Sequence, residues 1–167
     1  MDRASFQRFY ERSAPALRSY LRYTCRDAAL ADDLLQEAYL RMLRAGPAEL
    51  DEAQRKSYLY RAAHSALADH FRRANRAQDW LDGNPEEATS WAGPKPAPPE
   101  LPVDMQRVLD DLGTRDRQLL WLAYVEGFSH REIGPLLGVQ EKSVRVLLTR
   151  ARERIAALLT DRGLGPE

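Results

Sequence analysis

The chain holds 167 residues, of which 44% are hydrophobic and 30% charged, with 25 basic and 25 acidic side chains and a formal net charge of zero. A zero sum argues at first against a nucleic-acid binder, which usually carries a basic surplus, and the single cysteine, Cys25, excludes an intramolecular disulfide and fits a reducing compartment. No apolar run approaches the roughly 18 residues of a membrane span, and the charged start MDRASFQRFYERS has no signal-peptide core; the expectation is a soluble, cytoplasmic protein with no membrane insertion.

No stretch alternates with period two, so the chain is expected to be all-α. Phe6, Phe9, Tyr10, Leu17, Tyr20 and Leu21 recur at helical spacing, with Pro15 marking a kink or a break. Asp27 is placed to N-cap a second helix. Ala31, Leu34, Leu35, Ala38 and Met42 give that helix its apolar stripe, and Gly46-Pro47 ends it. A third helix has Leu59, Ala62, Ala63, Ala66, Leu67, His70 and Phe71 on one side. Arg61, Ser65, Asp69, Arg72, Arg73 and Arg76 lie on the other.

The stretch 77–100 is acidic and Pro-rich, without helical period, and reads as a linker. Trp80 and Trp91 within it are either docking groups or stray linker aromatics. The linker separates two small pieces, 1–76 and 101–163, each with a thin core. The second piece opens at Leu101-Pro102, with Val103, Arg107, Val108 and Leu112 on a helix that Gly113 terminates. Thr114 is expected to cap the next helix, whose apolar face is Leu119, Leu120, Leu122 and Ala123, joined by Trp121. Gly127 ends it. Ser129 through Glu132 form a capping-box pattern, worth about 0.5–2 kcal/mol. A short helix then runs to Leu137, Gly138 turns the chain, and a last helix buries Val144, Leu147, Leu148, Ala151, Ile155, Leu158 and Leu159.

Split along the chain, the zero charge changes meaning. Residues 51–76 carry +3, residues 77–111 carry −6 and residues 112–162 carry +3. Two basic segments flank an acidic one. The acidic linker is therefore expected to compete for the basic faces and to weaken DNA binding by the free protein.

A capped short helix, a glycine turn and a longer basic helix make a helix-turn-helix, whose last helix enters the major groove. That helix presents Lys142, Ser143, Arg145, Val146, Thr149, Arg150 and Arg152 outward. Arg145 has the fork geometry for guanine, and Gln140 suits adenine or phosphate. Arg150, Arg152 and Arg154 suit phosphate contact or plain solvation.

Residues 114–155 resemble region 4 of the bacterial extracytoplasmic-function (ECF) sigma factors of the sigma-70 family. The match is carried by Arg117, Leu120, Leu122, Tyr124, Glu126, Gly127, Ser129, Glu132, Ile133, Leu137, Gly138, Val144, Leu148, Arg150, Ala151 and Arg152. ADDLLQEAYLRML (31–43) is similar to region 2.2 of that family, and SYLYRAAHSALADHFRR (57–73) to regions 2.3 and 2.4. The resemblance implies two helical domains joined by a flexible linker. It implies that Asp33, Gln36 and Glu37 bind core RNA polymerase at the clamp coiled coil of its largest subunit, and that the second domain meets the β flap. Tyr58, Arg61, His64, Ser65, Arg72 and Arg73 would contact the promoter −10 element, Tyr58 or Tyr60 being equally at home in a core. An extruded base would sit in the loop Gly46–Lys56. Gln140, Lys142, Ser143, Arg145, Val146, Thr149 and Arg150 would contact the −35 element. An anti-sigma factor is the implied inhibitory partner.

The chain departs from the family pattern at Gly134-Pro135, at Val146-Leu147 and at Ser65, where Asn is common. Pro135 is expected to kink the short helix at about 3 kcal/mol if nothing compensates. Other function classes fit less well. His64, Asp69 and His70 fan out by about 140° and 240° and do not converge on a metal. No catalytic residue, metal site or cofactor motif emerges. A stand-alone helix-turn-helix regulator has no use for the region 2-like half, and a decoy that binds polymerase without initiating remains open on Pro135 and Val146-Leu147.

Overall fold

The computed structural model describes residues 1–46, 49–82 and 102–165, with the backbone alone over 76–82. Every regular element among them is helical. They run α1 (Arg3–Cys25), α2 (Ala28–Ala45), α3 (Glu52–Asp82), α4 (Val103–Asp111), α5 (Thr114–Leu120), α6 (His130–Leu137) and α7 (Glu141–Asp161). Two compact units result, Met1–Leu21 with Asp27–Lys95, and Arg22–Arg26 with Pro96–Glu167.

The first unit is built on three long helices whose inward faces match the apolar spacing. Phe9, Leu17, Tyr20 and Leu21 of α1 are buried with Leu34, Leu35, Ala38 and Met42 of α2 and Leu59, Tyr60, Ala63 and Leu67 of α3. Pro15 does not break α1. It removes one N–H from the ladder, but Ala14 and Leu17 on either side are buried and hold the helix in place. Asp27 caps α2 as expected, its Oδ1 accepting from the Leu30 N–H at 3.1 Å. Gly46 ends α2 in the left-handed region at φ 61°, its N–H shared between the carbonyls of Met42 and Leu43.

The start of α3 differs from the expectation. Asp51 and Gln54 cap each other reciprocally: the Gln54 N–H donates to Asp51 Oδ1 at 2.8 Å, and the Asp51 N–H to Gln54 Oε1 at 3.0 Å. The segment expected as a loop to Lys56 is therefore helical from Glu52. Pro47 and Ala48 lie outside the described residues, as do Trp91 and most of the acidic segment. At its far end α3 runs to Asp82, past residue 76 where the first piece was expected to stop.

The second unit packs α4, α5 and α6 around α7. Val108, Leu109, Leu112, Leu119, Leu122, Ile133, Leu136, Val144, Leu148 and Ala151 form its core. Leu147, Ile155, Leu158 and Leu159, expected inside, are only half-buried. Phe128 is buried too, which no helical spacing announced because it lies between helices. Gly113 does not terminate α4. It is the N-cap of α5 in extended backbone, and Thr114 is the first helical residue. Beyond Leu120 the helix widens into a π turn over Trp121–Val125, and the Glu126 N–H reaches back to the Trp121 carbonyl at 3.0 Å.

The capping box forms in full. The Glu132 N–H donates to Ser129 Oγ at 3.2 Å and the Ser129 N–H to Glu132 Oε2 at 2.8 Å. Pro135 sits inside α6, which nevertheless continues to Leu137. Its neighbour Gly134 explains why the pair suits this turn. A β-carbon at Gly134 would lie 2.9 Å from the Val139 carbonyl oxygen, so α6 approaches the entry to α7 more closely than any side chain permits.

Candidate nucleic-acid interface

On α3, Tyr58, Arg61, Ser65, Asp69 and Arg72 fall within about 80° of one another around the axis. Arg61, Ser65 and Arg72 are exposed, and Tyr58 is half-buried. The Arg61 guanidinium lies 5.8 Å from the centroid of the Tyr58 ring, within cation–π range. An aromatic face beside exposed cations suits single-stranded nucleic acid, where bases stack and phosphates need charge. Of the two tyrosines that the sequence left open, Tyr60 belongs to the core at 1% exposure.

His64 is not the outward group that the sequence reading made it. Its ring turns toward α1, where Nε2 lies 2.7 Å from the Tyr20 hydroxyl, and Tyr20 is fully buried. Burial pushes its pKa down to about 4. The imidazole is a neutral packing group near neutral pH. Its helical position, between the outward stripe and the core, made either role compatible with the spacing.

Across the groove, α2 exposes Asp33 and Gln36 and half-exposes Glu37. Leu40 and Leu43 stand on the same side, 45% and 46% exposed. The sequence reading passed over these two leucines. The signal was present, since neither fits the buried stripe of α2.

Arg41 joins the two helices. Its Nε donates to Glu37 Oε1 at 2.8 Å, one terminal nitrogen to Ser65 Oγ at 3.0 Å, and the other to Asp69 Oδ2 at 2.9 Å. Asp69 also accepts from Arg72. The bond from Arg41 holds the Glu37 carboxyl below the ordinary range, and Arg72 with Arg41 does the same for Asp69. Arg73 and His70 line the groove beside Asp33 and Glu37.

In the second unit, Gln140 N-caps α7 by backbone alone, and Glu141, Lys142, Arg145, Val146, Thr149 and Arg150 are exposed along its first three turns. Ser143 is half-buried. Val146 is 50% exposed, an apolar side chain among polar neighbours. The Thr149 hydroxyl is tied back to the Arg145 carbonyl at 3.0 Å.

Farther along, the arginines are committed elsewhere. Arg152 donates to the Tyr124 hydroxyl at 2.9 Å. Arg154 closes on Asp116 while its side chain stays 56% exposed, an ion-pair partner that the sequence reading did not supply. Arg117, known from sequence only as a motif position, is buried. It donates to the carbonyls of Leu109 (2.9 Å) and Leu112 and to Thr114 Oγ1, pinning the α4–α5 corner. Desolvation lowers its pKa from the usual arginine value.

Among the described residues, no group of three His, Cys, Asp or Glu side chains is arranged to hold a metal. No helix of the described residues is long and apolar enough to cross a membrane.

Comparison with known proteins accords with this arrangement. Residues 9–77 match the family model for sigma-70 region 2, and residues 103–155 match that for sigma-70, region 4. The chain is 30% identical over 158 residues to the ECF RNA polymerase sigma factor SigM of Mycobacterium tuberculosis, covering 95% of this chain and 79% of SigM. It is 27% identical over 155 residues to the RNA polymerase sigma factor CarQ of Myxococcus xanthus, covering 93% and 89%. Among solved structures it is similar in fold to the sigma factor RpoE of Bartonella quintana, crystallised with the anti-sigma factor NepR. The TM-score is 0.71 at 20% identity, over 93% of this chain and 97% of that one. CnrH, solved with the cytosolic domain of CnrY, gives 0.64 at 22% identity, over 96% and 90%. With both regions matched in order, the chain belongs to the sigma-70 family, as an RNA polymerase sigma factor of the ECF type.

Proposed function

We propose that the chain binds core RNA polymerase through the outward face of α2, reads the promoter −10 element with the α3 stripe, and reads the −35 element with the first half of α7. The observation that carries this is the state of α7. A complete capping box sets the start of α6, the close approach at Gly134 sets the turn into α7, and Lys142, Arg145 and Arg150 make no ion pair among the described residues. A helix so presented meets base edges with its amino-terminal residues and phosphates with those flanking them.

On α2, Asp33, Gln36 and Glu37 supply acceptors for cations on the polymerase clamp. Leu40 and Leu43 add apolar area beside them, the pattern of an interface centre with a polar rim. Tyr58 and Arg61 stack on and screen the separated strand, with Ser65, Arg72 and Arg73 beside them. The second unit would also meet the β flap. The protein acts by binding, without covalent chemistry or cofactor, in the cytoplasm, and an anti-sigma factor covering these same faces would hold it inactive.

The test is run-off transcription with purified core polymerase on a pool of genomic promoter fragments. Initiation that depends on this protein is the expected result. DNA binding without polymerase and no initiation would favour a stand-alone regulator instead.

A further inference from the structure

Glu37 and Ser65 belong to different proposed surfaces, yet one guanidinium touches both. Arg41 is anchored on α2 by Glu37 and reaches across to Ser65 and Asp69 on α3, within 3.0 Å of each. We propose that Arg41 is a positioning residue that fixes how Ser65 is offered to the −10 strand, and that it makes this depend on the state of Glu37.

The chemistry follows from donor and acceptor counts. A serine hydroxyl has one O–H and two lone pairs, and an arginine donates only. With Arg41 occupying a lone pair of Ser65 Oγ, the O–H cannot point at the guanidinium and is left to donate elsewhere. Ser65 is thereby presented as a hydrogen-bond donor, suited to a base acceptor or a phosphate oxygen. Without Arg41 the hydroxyl turns freely and offers either role.

Arg41 itself is held from two sides. Glu37 takes Nε and Asp69 takes one terminal nitrogen, and Asp69 shares its second oxygen with Arg72. The Arg41 side chain is 27% exposed and those of Glu37 and Asp69 about a third, so a partner has access to the edge of the network. A cation of the polymerase that engages Glu37 would compete with Arg41 Nε. The guanidinium would then lean on Asp69 and Ser65, and Arg72 would loosen from Asp69 toward the strand. Polymerase binding and −10 reading would share this element without sharing a contact. The inference rests on the promoter-reading function proposed above.

The experiment is a double-mutant cycle on Glu37→Gln and Ser65→Ala, run with the full chain, core polymerase and one promoter recovered by run-off. Open-complex formation is read at saturating polymerase. The cycle is repeated with Arg41→Ala in all four proteins. Coupling through Arg41 predicts a departure from additivity of about threefold or more, and its loss when Arg41 is alanine. Arg41→Ala should also change base preference at the one −10 position that Ser65→Ala changes, with thermal unfolding of the chain altered little. An additive cycle on an active parent overturns the coupling alone, as does a uniform loss across all −10 sequences. Absence of any polymerase-dependent opening by the parent protein overturns the functional reading and the coupling with it. Arg41→Lys guards against a fold defect, since it keeps the charge and cannot span three partners. It should fold and still lose the non-additivity.

Discussion

Arg154 places one terminal nitrogen 2.8 Å from both carboxylate oxygens of Asp116, so that a half-exposed arginine on α7 closes over a carboxylate on α5 that is nearly buried. A count of basic residues near a recognition helix would give Arg154 to DNA. The geometry gives it to the fold. Arg154→Ala is expected to cost about 1 kcal/mol of stability after allowance for solvent screening. It should leave the salt dependence of DNA binding unchanged. Thermal unfolding and a salt titration on promoter DNA check the two halves of that expectation.

Gly134 gives a prediction opposite in sign to helix propensity. Within a helix, Gly to Ala is ordinarily favourable by about 1 kcal/mol. Here the added β-carbon would meet the Val139 carbonyl oxygen at 2.9 Å, and a backbone atom gives way only if the turn moves. Gly134→Ala is therefore expected to destabilise the second unit by about 1–3 kcal/mol, as overpacking does, and to weaken −35 binding by shifting the start of α7. A rise in melting temperature would show that the turn yields easily.

The Tyr20–His64 pair predicts a pH dependence. The folded-state pKa of His64 is pushed down to about 4 by burial, against an unfolded value near 6.5. Between those values the unfolded chain binds the proton and the folded chain does not. Stability is fully present above about pH 6.5 and falls as pH drops toward 4. His64→Phe should flatten this part of the acid limb in urea unfolding measured from pH 7 to 4.

At the −35 element the arginines should separate by role. Arg145→Ala is expected to cost about 1–3 kcal/mol on one sequence and to relax preference at one base. Arg150→Ala should weaken all sequences alike and reduce the salt slope by about one. Val146 is the remaining exposed side chain on that face with nothing polar to offer, and the thymine methyl is the apolar feature of the major groove. Replacing each −35 thymine by deoxyuridine should weaken binding at one position by about fourfold, the worth of one buried methyl group. Val146→Ser should remove that dependence.

What was legible in the sequence was local. Asp27, Gly46 and the Ser129–Glu132 box each act within a few residues of themselves, and each forms as its spacing indicates. The apolar stripes of α2 and α3 are legible for the same reason: period alone selects a face. The misses are tertiary. Gly113 reads as a helix stop, but its backbone is extended and begins the next helix. Phe128 is buried from a turn, outside any periodic face. His64 stands at the boundary between two faces, and only the Tyr20 hydroxyl on another helix decides its direction. Arg41 and Glu37 stand at i, i+4 spacing. The second and third partners of Arg41 come from 24 and 28 residues away, and no spacing rule reaches them. Of the proposed interface residues, Asp33, Gln36, Arg61, Ser65, Arg72, Arg145 and Arg150 are exposed.

The carbonyl clamp around Arg117 bears on how strongly this domain is drawn to a polyanion. Residues 112–162 hold nine basic side chains. Arg117 spends its charge on backbone oxygens, Arg154 and Arg162 are neutralised by Asp116 and Asp111, and Arg152 leans on a tyrosine. With two of the nine paired to carboxylates and Arg117 buried, the domain meets DNA with fewer free cations than its composition advertises. Counterion release scales with the phosphates actually neutralised, so its hold on the duplex should be weak and only shallowly dependent on salt. The long residence needed to open a promoter must then come from the polymerase.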